Sequence, residues 1–122
     1  PDRSTRVVDV GRERAGLLTQ VPLLAMLADH RDDSPVRRGV FVLERLLCAP
    51  PPPPPANAPR PTEPAPDEPT RTTRERLELS HADPVCAGCH ASIDGIGFAF
   101  SRFDAVGAFR THEGGVPVDA SG

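Results

Sequence analysis

"PVCAGCHASIDGIGF", residues 84–98, decides how this chain is read. It holds two of only three cysteines in 122 residues, and a histidine directly follows the second of them. Cys86, Cys89 and His90 spell C-x-x-C-H, the attachment signature of a covalently bound c-type haem. The spacing has a physical reason. Two thiols three positions apart in a turn of helix can each form a thioether to the porphyrin edge, and the adjoining imidazole then reaches the iron. Ala87 and Gly88 are small and leave the space between the two sulfurs open. The expectation is one haem c, held by Cys86 and Cys89, with His90 as axial metal ligand.

Other chemistries use the same residue types. Zinc could be held by Cys86, Cys89 and His90 with His81 as the fourth ligand, since such sets are tetrahedral zinc formers. Against this, His90 directly follows Cys89, neighbouring residues seldom both reach one small ion, and there is no second ligand pair at zinc-finger spacing. A redox dithiol would want a strand before the C-x-x-C, and none is expected here. A plain disulfide is the remaining alternative.

A second iron ligand is harder to place. No Met follows His90. Met26, the only Met, falls on a Leu-rich stripe and reads as core. His81 is the best-placed second metal ligand, five residues before Cys86, on a tether of up to ~17 Å. His30 in a polar connection and His112 at a turn read as solvated. Asp94, four residues after His90, is a candidate hydrogen-bond partner for a ligand, though a carboxylate capping a loop is the simpler reading. Cys48 reads as a small buried apolar side chain.

Around this cluster the chain divides into a helical hairpin segment over 1–48, a proline-rich linker over 49–71 and a haem-binding segment over 72–122. Leu17, Leu18, Val21, Leu24, Leu27 and Ala28 keep helical spacing, with the firmer helix from about Pro22 to Asp29. Ser34 and Pro35 suit the N-cap and first position of a second helix. Its apolar stripe is Val36, Val40, Leu43 and Leu47, with Arg37, Arg38, Glu44 and Arg45 toward water. The two helices should pack as a hairpin. Six consecutive prolines over 50–55 favour an extended strap, because proline fixes φ and donates no backbone hydrogen bond. Thr72 and Glu75 make a capping box for a short helix ending near His81. Gly95 and Gly97 then suggest a loop over 94–97, a helix over 98–105 and a stop at Gly107. A hairpin should turn at Gly114–Gly115. The fold class is mostly α: a small cytochrome c-like haem module with an N-terminal helical hairpin, a proline-rich strap and a short C-terminal β-hairpin.

Composition limits the function classes. The apolar share is 38%, Tyr and Trp are absent, and the core must be small, so a cofactor adding apolar bulk would help it fold. A net charge of −3 without a basic block speaks against nucleic acid. No apolar run approaches the roughly 20 residues of a membrane span.

The ordered set "RAGLLTQ", "SPVRRGVFVLERLLCAPPPPPP", "TTRERLELSHADPVCAGCH" and "IDGIGFAFSRFDAVGAFRT" resembles the carboxy-terminal region of the multi-domain planctomycete-type cytochrome proteins. The resemblance covers nearly the whole chain from about Arg14. It implies a piece of a larger exported bacterial protein with a c-type haem motif at Cys86, Cys89 and His90, and a histidine ahead of it at His81. Gly95 stands where that family usually has Pro, which leaves the adjoining backbone less fixed. The expected role is electron transfer with other domains of the parent chain or a separate redox partner, in the periplasm or outside the cell. A peroxidase-like haem domain with an open sixth iron position and a structural zinc module are the alternatives, so whether the chain is an enzyme stays open.

Overall fold

The computed structural model describes residues 4–29, 32–56 and 72–122. His30 and the part of the proline-rich linker over 57–71 lie outside the described residues. Four helices and one short hairpin are found among the described residues: α1 Val21–Met26, α2 Pro35–Arg45, α3 Thr73–Ser80, α4 Pro84–Phe98, β1 His112–Glu113 and β2 Val116–Pro117. The chain is thus mostly helical. No described helix is long and apolar enough to cross a membrane.

Local chemistry sets several boundaries as the sequence suggests. Thr72 caps α3 by accepting from the Glu75 N–H at 3.2 Å, and the Glu75 carboxylate accepts from the Thr72 N–H at 2.8 Å. Pro35 opens α2 after Ser34, although Ser34 sits at φ 45° and its side chain makes no capping bond. The Ser34 N–H instead donates to the Asp32 carboxylate at 2.8 Å. The hairpin turns at Gly114 and Gly115, both at positive φ, as a two-residue turn of this hand requires. Ala49 to Pro55 carries no helix or strand.

Packing departs from the sequence reading in three places. First, α4 runs without a break through Asp94, Gly95 and Gly97 to Phe98, and no helix spans 98–105. The glycines do not break the helix; they let another backbone approach. A Cβ on Gly97 would sit 2.7 Å from the carbonyl carbon of Pro35 and nearer still to its oxygen. One on Gly39 would strike the Ile93 carbonyl oxygen. Position 35 meets 97 and 39 meets 93, so α2 and α4 lie antiparallel in close contact. This register points the last turn of α2 toward the Cys-bearing turns of α4.

Second, α2 takes α4 as its main helical partner, where the sequence suggested a hairpin with α1. Only six residues long, α1 buries Leu24 alone. Met26 is exposed, against the core expectation, because α1 ends there before any second turn can cover it. The core is Leu24, Leu43, Ile93, Phe98 and Phe103, with Phe109 edge-on to Phe103 at 5.7 Å. Leu47 is exposed beyond the end of α2.

Third, Arg38 belongs to the interior rather than the wet face, at 1% exposure. Its Nη1 donates to the carbonyls of Phe103 at 2.6 Å and Phe100 at 3.2 Å, and its Nη2 donates to that of Asp104 at 2.8 Å. Asp33, equally buried, lies 3.7 Å from Arg38 and 3.1 Å from Arg110. Arg110 continues to Glu113, whose other oxygen accepts from the Thr73 hydroxyl at 2.6 Å and the Thr73 N–H at 3.0 Å. This polar chain joins the start of α2, the loop after α4, the hairpin and the start of α3.

The glycine crossing yields a direct prediction. Gly97→Ala must push α2 and α4 apart and is expected to cost about 1–3 kcal/mol in urea unfolding. Gly88→Ala, whose Cβ meets nothing within 4 Å, should leave stability unchanged or gain up to about 1 kcal/mol from helix propensity. Equal effects at the two positions would refute the close-packing account.

Candidate functional site

The site is built on α4 and the turn before it. Asp83 starts α4 by accepting from the Val85 N–H at 2.8 Å, and Pro84 occupies the first helical position. One turn further, Cys86, Cys89 and His90 fall at i, i+3 and i+4 and share one face of the helix. Both thiols are half-buried and unpaired. Gly88 between them faces open space.

His81 closes α3 as its C-cap residue, and only Ala82 and Asp83 separate it from α4. This tight connection folds its ring back onto that of His90, with centroids 3.5 Å apart and planes inclined at 25°. Asp94 holds both rings. Its Oδ2 lies 2.6 Å from His81 Nδ1 and its Oδ1 lies 3.0 Å from His90 Nδ1. All three side chains are substantially shielded. A carboxylate oxygen only accepts, so Nδ1 carries the proton in each ring. In a neutral ring held this way the lone pair sits on Nε2, the atom a ligand role needs.

The donor set therefore fits a c-type haem chemically. Two free thiols and an imidazole with its Nδ1 anchored and its Nε2 available stand on one helix face. His81, His90 and Asp94 also converge closely enough to serve as ligands to a small ion. His81 stands beside His90 rather than opposite it.

The other sequence candidates are dispersed. His112 is exposed on β1, its Nδ1 3.0 Å from the Thr111 hydroxyl. Cys48 is exposed at φ 52° just past α2, not buried as expected. Asp94 is the residue sequence reasoning undervalued. Read in a loop, it was a local cap; on an unbroken helix it is the i+4 neighbour of His90. The signal was present in the spacing and was hidden by the two glycines.

No curated protein and no solved structure matches the chain. A family model does, over residues 14–113: PSCyt3, protein of unknown function (DUF1588). That span takes in all four described helices and the thiol–histidine–carboxylate cluster, so the chain belongs to PSCyt3, a family of planctomycete cytochrome-associated domains of unknown function.

Proposed function

We propose that this chain is a covalent c-type haem module that carries electrons within a larger exported bacterial protein. The observation that carries the reading is the single helix face bearing Cys86, Cys89 and His90, with Asp94 fixing the imidazole. Cys86 and Cys89 would hold the porphyrin, each thiol adding its S–H across one vinyl group so that one S–C bond forms and no atom is lost. His90 would supply a nitrogen to the iron from Nε2. When bound, the haem supplies a one-electron ferrous–ferric couple. Leu46 and Leu47 past the end of α2, Leu79 near the end of α3 and Val85 beside Cys86 are all exposed. They are apolar surface of the kind a porphyrin would cover if it lay against them. On this reading the thioethers would be made outside the cytoplasm, in the periplasm or beyond, as the sequence reading expects.

A second reading is favoured by the position of His81. Asp94 holds it beside His90, so a haem bound there would keep one iron position open to water or another small ligand, as in a peroxidase-like domain. The test is the full chain, exported with the c-type maturation machinery. Its mass should equal polypeptide plus one haem, and its pyridine haemochrome should show the thioether-linked form. A spectrum insensitive to cyanide favours the electron carrier, and one that shifts favours the open site. A chain that returns without added mass, or with zinc alone, overturns both.

A further inference from the structure

We propose that Asp94 is a positioning residue that sets the reduction potential of the His90-bound iron, and that His81 attenuates it by competing for the same carboxylate. The inference rests on the haem reading above and assigns to two residues roles that act through His90.

The geometry is specific. Each oxygen of Asp94 serves one ring, at 2.6 Å for His81 and 3.0 Å for His90. A carboxylate accepting from Nδ1–H pushes electron density into the imidazole and makes Nε2 a stronger donor. A stronger donor favours ferric over ferrous iron and lowers the potential. The shorter bond to His81 draws on the same negative charge, so His90 feels a weakened carboxylate. The cluster is shielded from water, which strengthens both bonds relative to an exposed site. The helix makes the pairing obligatory, because Asp94 lies one turn beyond His90 on the same face.

The two residues must then act in opposite directions. Asp94→Asn keeps the shape but replaces a charged acceptor by an amide, and the potential rises. His81→Phe keeps a ring against His90 but releases the carboxylate, and the potential falls. Each shift is expected to reach about tenfold in the ferric-to-ferrous ratio at a fixed ambient potential, or ~59 mV for a one-electron couple.

The experiment is a spectroelectrochemical titration of the haem-loaded full chain and both variants. Nitrogen-15 NMR of the haem-free chain adds a second measurement, with His90 protonated at Nδ1 in the wild type and losing that preference in Asp94→Asn. Opposite shifts with the tautomer change support the assignment. Haem-loaded variants whose potentials equal the wild type, or move in one direction, overturn it while leaving the haem reading intact. A wild type without covalent haem overturns both, and the NMR result then reports only whether Asp94 orients His90.

Discussion

Cys86→Ala with Cys89→Ala is expected to abolish covalent haem completely, leaving the exported chain at its bare polypeptide mass with no band on a haem stain. Each single variant should retain one thioether and a fraction of the wild-type loading. The experiment is clean because the fold has little stake in these sulfurs. Both are half-buried on a helix face, neither is in a disulfide, and alanine is the better helix former. The double variant should therefore keep the helical content of the haem-free wild type, and any loss of pigment reports attachment rather than folding. Covalent haem surviving in the double variant would end the proposal.

The second large effect concerns stability. Arg38→Met is expected to cost about 3–5 kcal/mol, the range for removing one partner of a buried ion pair. Net stabilities are about 5–15 kcal/mol in all, so the variant should be largely unfolded at moderate urea. Three carbonyls between residues 100 and 104 lose the donor that gathers them, and Asp33 is left with Arg110 as its one neighbouring cation of the two. Lysine is no substitute, because a single ammonium does not reproduce the planar fork. Burial already raises the Asp33 carboxyl above its usual value of 3.8, with Arg110 and then Arg38 pulling it back. A carboxyl raised by folding contributes stability below its unfolded value and loses it as pH climbs through the folded one. Without Arg38 that carboxyl rises further, so the deficit of the variant should be larger at neutral pH than below about pH 4. A methionine variant within about 1 kcal/mol of wild type at neutral pH would show that the arginine is dispensable.

What could be read from sequence was what neighbouring residues decide among themselves. The Thr72–Glu75 cap, the Ser34–Pro35 start and the turn at Gly114–Gly115 each depend on a few consecutive side chains, and each is where the pattern put it. That Cys86, Cys89 and His90 share one helix face followed for the same reason from their spacing. Gly95 and Gly97 misled because local propensity makes glycine a helix breaker, whereas the contact that needs Gly97 comes from Pro35, more than sixty positions earlier. Arg38 misled because its partners are carbonyls of a loop that no periodicity in α2 announces. Asp94 was visible as a partner at four residues from His90, but a loop expected over 94–97 made a local cap the simpler reading; the unbroken helix fixes it one turn from His90.

The close approach of α2 and α4 also limits what can be exchanged between them. At Pro35 and Gly97, and again one turn along at Gly39 and Ile93, backbone meets the space a side chain would fill. The spacing of the two helices over that turn is therefore set by the main chain, and swapping neighbouring apolar side chains leaves it unaltered. Cys86 lies eleven residues from Gly97 along α4, about 16 Å down its axis, beyond the stretch so fixed.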